Sequence, residues 1–360
     1  MTILSRYLLR RFFPLFGLCI GVFVFVMLMT FFLRLFNLAL MKGIPLSWIA
    51  LCFGRLTPYF LSLALPMAFL VALLLTLGGF SESGEVMALR SSGFSFKDIL
   101  KPFFWIALLL SLLLMGINHK WSPDGFHSFQ RSYYRALSEV TRLDIEQNAM
   151  TSIGYWTIFA KTVDRESGRL GTVRVIKRQG QYSRMRISAP TGSSSVEAGK
   201  GIKLVLENGS LVWPSDLPDS YTVSSFERAG FFLPFKGDVD RQAELRELST
   251  PRIREELSRE TLSEQKTREY STEIALRAAG AFAPFMLFWV ACPLGLKLEK
   301  RSGPIGFALS LVLIFAFYGF LAFGVGLGRK DLSLSLYAPW LANLACVPAG
   351  IWSWRRLLKR

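Results

Sequence analysis

The sequence predicts a membrane α-helical protein with six transmembrane helices, three on each side of an inserted extracytoplasmic all-β domain of jellyroll-like form. Three observations predict this. Hydrophobic residues make up 51% of the 360 residues and charged residues only 19%, with a mean hydropathy of +0.36. The apolar residues gather in six long runs free of Asp, Glu, Lys and Arg. Between the third and fourth runs the chain returns to mixed charge with Gly, Ser and Thr clusters. A water-soluble globular domain spreads its charge along its length, and a disordered chain lacks the apolar residues, so both classes are excluded.

A bilayer core takes about 20 apolar residues of helix at about 1.5 Å each. The six runs are Phe12 to Leu33, Leu56 to Phe80, Pro102 to Asn118, Ala278 to Leu296, Ser302 to Gly328 and Leu332 to Trp354. Arg6, Arg10 and Arg11 precede the first run as they would precede a signal peptide. Its 22 uncharged residues exceed a signal's apolar stretch, however, and no small-x-small cleavage site follows, so a retained helix is expected. Lys and Arg in short loops favour the cytoplasm. With the N-terminus inside, the cytoplasmic segments hold thirteen cations against four carboxylates. Both termini are therefore expected in the cytoplasm and the insert outside. The domain plan is three helices over 1–118 with a short cytoplasmic helix near 82–93, the insert over 119–270, and three helices over 271–360.

Within the insert, apolar residues alternate on both sides of Asn208-Gly209 from Lys203 to Trp213. This predicts a hairpin, because Asn-Gly accepts positive φ in a tight turn. Tyr155 to Lys161 and Thr172 to Gln179 read as further strands, with Ser167-Gly168 as a turn signal. Several short strands at this spacing predict a sandwich or jelly roll. The chain then returns through Ser249-Thr250-Pro251, an N-cap and first-turn proline, into a charged helix running toward Tyr270. Asn208-Gly209-Ser210 also fits a glycosylation acceptor pattern, but the hairpin accounts for the same residues. Cys19, Cys52, Cys292 and Cys346 lie in or beside the membrane runs and read as small apolar residues, with no disulfide or metal site.

No catalytic constellation emerges. His119 and His127 are the two histidines, without metal-ligand spacing around them, and the chain lacks a Gly-x4-Gly-Lys-Ser/Thr phosphate loop. If ATP drives this protein, another chain holds the ATP. The net charge of +16 does not point to nucleic acid once it is partitioned. The cytoplasmic segments carry +9, residues 119 to 270 carry +3, and the outer helix ends carry +4. The inner excess suits anionic headgroups and the positive-inside rule. The outer excess runs against that rule. Arg34 stands 22 residues after Phe12, about 33 Å along a helix, while Arg55 and Arg277 immediately precede the second and fourth runs and Lys120 closely follows the third. These four cations admit two readings: a ring for lipid phosphates at headgroup level, or separate snorkelling anchors.

The loop after the second run reads Gly78-Gly-Phe-Ser-Glu-Ser-Gly-Glu-Val-Met-Ala-Leu-Arg-Ser-Ser-Gly-Phe94. Ser81 or Ser83 would cap a short helix with Glu82 and Glu85 in its first turn. Val86, Met87 and Leu89 would supply apolar contacts, Arg90 would follow, and Gly93 would end the helix. Such an element is either what an ABC-type permease inserts into a groove of its ATPase subunit or a helical connector lying on the membrane.

These features together resemble the LptF/LptG permease family of the lipopolysaccharide transport machine. The resemblance rests on the 3 + β + 3 order, the Arg-Tyr-Leu-Leu-Arg start at Arg6 to Arg10 and the Glu85-Val-Met-Ala-Leu-Arg-Ser-Ser-Gly93 loop. It rests also on the Trp121-Ser-Pro123 exit from the third run and Pro293-Leu-Gly295 near the end of the fourth. The N-terminal Ser-Arg-Tyr-Leu-Leu-Arg form is closer to LptF than to LptG.

The resemblance implies an inner-membrane ABC transporter of Gram-negative bacteria in which paired permeases join an LptB-like ATPase dimer and an LptC-like single-span protein. It would extract lipopolysaccharide and pass it through β-jellyroll domains toward a periplasmic bridge protein. ATP and Mg would belong to the ATPase, with no cofactor in this chain and no nucleic acid partner. The resemblance assigns ATPase coupling to Glu82, Glu85, Met87, Leu89 and Arg90, with Glu85 facing a cation of the ATPase. It assigns lipid phosphates and core sugars to Arg34, Lys42, Arg55 and Arg277, beside which Lys120 completes the ring read from the sequence. Helices 1 and 5 would form lateral gates, with Gly324, Gly326 and Gly328 permitting close helix approach. The alternative from another class is a non-transporting membrane scaffold or sensor whose β-domain binds a partner or ligand; it predicts no ATPase partner.

Overall fold

The computed structural model describes residues 3–42, 46–139, 147–153, 156–164, 168–179, 183–197, 201–214, 221–234, 245–258, 262–298 and 302–358. It divides into a helical unit, Met1–Phe129 with Ala243–Arg360, and a β unit, Gln130–Gln242. Segments 119–129 and 243–270, read from the sequence as parts of the insert, group with the helices.

The helical unit contains α1 (Ile3–Lys42), α2 (Leu46–Glu82), α3 (Glu85–Ser91) and α4 (Phe96–Gly116), which continues through a π turn (Ile117–Trp121) into α5 (Ser122–Glu139). After the insert come α6 (Thr250–Leu257), α7 (Glu264–Ala281), α8 (Ala283–Gly295), α9 (Ser302–Gly328) and α10 (Leu341–Leu358). Among the described residues four stretches are long and apolar enough to cross a membrane: Ile3–Leu33, Ser47–Glu82, Phe96–Tyr133 and Gly303–Gly328. Helices α7 and α8, bent by 41° to each other, qualify together as a fifth. The sixth apolar run becomes helical only at Leu341. Before it the chain turns at Asp331, whose carboxylate accepts from the Ser333 amide at 2.9 Å, and then passes through a 3-10 turn at Ala338–Trp340.

Helix α2 is the centre of the bundle. Its apolar window is 72% buried, whereas that of α1 is 11% and that of α9 is 28%. Phe69, Leu70, Leu73, Leu74 and Leu77 of α2 are fully enclosed, so α2 holds the unit together while α1 and α9 present most of their apolar surface outward.

The bend between α7 and α8 would leave backbone groups unpaired in an apolar interior, where each carries a substantial free-energy penalty. Neighbouring helices supply the partners. Asn343 of α10, 1% exposed, donates to the Ala279 carbonyl at 3.0 Å. The Phe285 amide donates to Ser111 Oγ of α4 at 3.2 Å. A second repair explains part of the Pro293-Leu-Gly295 motif. Pro293 has no N–H to give the Trp289 carbonyl four residues earlier, and the Trp354 indole of α10 donates there instead at 3.1 Å. At Gly295 a side chain would come within 2.9 Å of Leu77 Cβ, so the glycine lets α8 lie close against α2. Gly324 and Gly328 of α9 likewise permit close approach, to the Ala338 carbonyl and to Thr272 and Ser335, whereas Gly326 faces open space. Both approaches are to other parts of this chain.

The β unit is one antiparallel meander of β1 (Met150–Ile153), β2 (Trp156–Val163), β3 (Arg169–Gln179), β4 (Ser183–Glu197), β5 (Gly201–Pro214) and β6 (Tyr221–Pro234). The expected hairpin at Asn208-Gly209 is absent. Strand β5 runs straight through these residues, pairing with β4 on one side and β6 on the other. The positive φ expected of Asn208 is present, at +53°, but it serves a different purpose.

Register places Lys161, Thr172, Pro190, Asn208 and Glu227 opposite one another across β2 to β6, and none of them belongs to a paired rung. Thr172 also has positive φ, +48°, and Pro190 has no N–H to contribute. The buried side-chain phase flips along this line. Leu170 precedes it and Val173 and Val175 follow on β3, while Leu204 and Leu206 precede it and Leu211 follows on β5. A crease thus crosses the sheet and lets long strands keep one face inward on both sides. The buried face, centred on Ile158, Val173, Ile187 and Leu204 at 0% exposure, belongs among the described residues to a single six-stranded sheet, compatible with a roll. Asn208→Val places a β-branched residue at positive φ and is expected to destabilise the β unit by about 1–2 kcal/mol. Asn208→Gly is expected to be neutral, and thermal unfolding followed by circular dichroism at β wavelengths compares the two.

Candidate functional site

The sequence-predicted residues fall at the two ends of α2. From Arg55 to Glu82 that helix rises about 40 Å.

At the end near Glu82, α3 is a seven-residue helix set off by two left-handed glycines, Gly84 (φ +75°) and Gly93 (φ +89°). The expected serine caps differ. Glu82 is the exposed last residue of α2. Ser81 instead donates to the Leu296 carbonyl at 2.9 Å, and Ser83 donates to Glu85 Oε1 at 2.9 Å. No side chain caps α3. Val86 is buried and Leu89 packs against the core, which seats the helix. Met87 is 68% exposed on the outward side. Arg90 lies over the Phe96 ring at 4.3 Å, which holds α3 near the start of α4, where Ser95 and Asp98 form a reciprocal capping box.

Glu85 has partners in its own chain. Tyr7 Oη donates to its Oε2 at 2.6 Å and the Arg11 guanidinium to its Oε1 at 3.0 Å. Partial burial pushes the Glu85 carboxyl up, but the hydrogen bonds from Tyr7 and Ser83 and the charge of Arg11 outweigh it and hold the group below its ordinary value. Residues 7 and 85 lie too far apart in sequence for any local pattern to pair them.

At the other end, α4 passes through the π turn, and Asn118 and His119 of that turn reach the returning chain. Asn118 donates to the Arg277 carbonyl at 3.0 Å. His119 Nδ1 and Thr250 Oγ1 share a hydrogen bond of 2.8 Å. His127 Nδ1 lies 3.3 Å from Glu247 Oε2, which is itself buried.

Arg277 is the hub of this region. It is 6% exposed. Its Nε donates to Glu273 Oε1 at 3.1 Å, its terminal nitrogens to the carbonyls of Leu248 (2.7 Å) and Leu245 (3.1 Å), and it reaches Thr250 Oγ1 at 3.3 Å. Arg277 therefore binds polypeptide and braces the segment that returns from the insert. The Glu273–Arg277 spacing of four residues beside an apolar run is a signal the sequence did carry. Of the other outer cations, Arg55 donates to the Ser128 carbonyl at 3.2 Å and Lys120 is exposed on the π turn. Arg34 and Lys42 lie on α1, and their side chains fall outside the described residues.

A model of the family described as lipopolysaccharide export system permease LptF/LptG matches residues 6–356. No curated protein matches the chain. Because the family model spans both helical halves and the β unit between them, the chain belongs to the LptF/LptG family of lipopolysaccharide export system permeases.

Proposed function

We propose that this chain is one permease of an ATP-driven exporter in the inner membrane, with both termini cytoplasmic and the β unit periplasmic. A paralogous permease pairs with it, an LptB-like ATPase dimer docks on its cytoplasmic side, and an LptC-like single-span protein and a periplasmic bridge receive the lipid. The observation that carries the coupling reading is α3: a short helix between two membrane helices, seated by Val86 and Leu89, with Met87 projecting at 68% exposure. A solvated methionine between Glu82 and Arg90 suits an apolar groove with a polar rim in another protein. The limited burial of α1 and α9 supports pairing with a second permease along those helices. Arg34, Lys42, Arg55 and Lys120 are the cations proposed for lipid phosphates, with Arg277 bracing the chain behind them.

Co-purification of the assembled complex in nanodiscs tests the coupling reading. Met87→Asp is expected to lower recovery of the ATPase at least tenfold, the order of a lost apolar anchor in an interface, and to abolish lipopolysaccharide-stimulated ATP hydrolysis. Recovery and stimulation equal to those of the native chain would assign α3 to a connector and favour the scaffold reading.

A further inference from the structure

The Glu85 carboxylate does not project with Met87. It is gripped by Tyr7 and Arg11, which lie 78 and 74 residues away on α1. Phe80 completes the joint from α2: the Tyr7 ring lies 5.8 Å from the Phe80 ring and the Arg11 guanidinium 5.2 Å from its centroid. Seven residues without a side-chain cap do not form a stable helix alone, and the left-handed glycines on either side separate α3 from the helices before and after it. Its orientation must therefore come from tertiary contacts. Helix α1, for its part, is only 11% buried along its apolar window, and its packing near this end rests on Leu8, Leu9, Phe12 and Phe16. The Tyr7–Arg11–Glu85 cluster joins α3 to the N-terminal end of α1.

We propose that Glu85 is a positioning residue, a latch that makes α3 and the N-terminal end of α1 move as one body, so that displacement of α3 on docking is delivered to α1. This rests on α3 being the ATPase-docking element. The chemistry fits a reversible latch. The cluster is partly solvated, with Arg11 and Glu85 side chains 54% and 26% exposed, so it can break and re-form without stranding a buried charge. The Tyr7 hydroxyl adds a short bond to an ionised acceptor and fixes the direction of the carboxylate.

The test uses the full complex of this chain, its partner permease and the ATPase in nanodiscs and proteoliposomes. Tyr7→Phe combined with Arg11→Gln removes the latch without altering α3. The double variant is expected to retain the ATPase and its hydrolysis rate, while lipopolysaccharide released per ATP falls by a factor of about five or more, the size of a typical coupling between sites. Spin labels at the exposed positions Ile3 and Ser91 are expected to give a broader distance distribution in that variant. Arg11→Lys, which keeps a cation beside Glu85 and leaves Tyr7 in place, is expected to retain both readouts, which a general loss of stability would not allow. An unchanged release ratio and distance distribution in the double variant would overturn the latch. Loss of the ATPase from that variant would overturn it as well, because α3 would then be misplaced rather than uncoupled. Met87→Asp probes docking alone, so failure of the latch and failure of the docking reading are separate results.

Discussion

Arg277→Met is expected to destabilise the helical unit by about 3–5 kcal/mol, the range for removing one partner of a buried ion pair. Methionine matches much of the length of the arginine and fills its channel, so the loss comes from polar groups and not from a void. Glu273, 8% exposed, would keep a charge with its cation gone, and the Leu245 and Leu248 carbonyls would lose their donors. The combination Arg277→Met with Glu273→Gln is expected to recover part of the loss, because no ionised group is then stranded. Lys120→Met, at an exposed position, is expected to stay within about 0.5 kcal/mol of the native chain. Thermal unfolding of the three variants in nanodiscs, followed by tryptophan fluorescence, gives the comparison. A stability unchanged in Arg277→Met, together with weakened cross-linking to lipopolysaccharide, would return Arg277 to the set of lipid-binding cations.

The contrast between Arg277 and Lys120 shows which parts of the site the sequence made legible. Position relative to an apolar run places a cation near a membrane surface, and it did so for Arg55, Lys120 and Arg277 alike. It does not tell which of them meets solvent, because that depends on where the chain returning from the insert crosses. Leu245, Leu248 and Thr250 converge on Arg277 from about 30 residues earlier, a contact that no helical periodicity encodes. The same limit applies to Glu85. Its place in a short helix ending at Gly93 followed from local chemistry, whereas its partners Tyr7 and Arg11 depend on α1 lying beside that loop. Helix α10 failed to begin where its apolar run begins for a different reason. Leu332, Leu334 and Leu336 are apolar enough for a span, but the Asp331–Ser333 turn and Pro339 set a local geometry that hydropathy averages away.

Asn208 shows a different limit, since the positive φ expected from its local sequence is present in the structure. Alternation on both sides of an Asn-Gly pair, with positive φ at Asn, describes a hairpin and a creased strand equally well. In both, the inward side-chain phase shifts at the pair. What separates them is whether the flanking segments pair with each other or with two outside strands. Leu204 answers this by lying opposite Ser194 of β4 and Phe231 of β6. A crease needs its neighbours to crease in register, and the aligned Thr172 and Pro190 supply that condition. No single strand displays it.

That architecture makes the β unit sensitive at few points. Among the described residues its core cluster comprises nine: Ile158, Ala160, Leu170, Val173, Val175, Ile187, Ala189, Leu204 and Leu206. All nine come from one sheet, so among the described residues a polar group introduced there finds no second layer that shifts to pair with it. Leu204→Asp puts a carboxylate at a position with 0% exposure, where an unpaired charge is disfavoured by several kcal/mol or forces protonation. With so small a core, that is expected to abolish folding of Gln130–Gln242, seen as rapid proteolysis between 147 and 234 and loss of β-sheet circular dichroism. Thr222→Asp, on the exposed side of β6, is the control and is expected to fold. The helical unit has its own core in α2, α4 and α8, so the Leu204→Asp chain is expected to retain its helices and to recover the ATPase in normal yield. If the β unit carries lipid away from the membrane, that chain hydrolyses ATP and releases no lipopolysaccharide to the bridge. Release at the native rate with an unfolded β unit would mean that the lipid leaves the helical unit by another route.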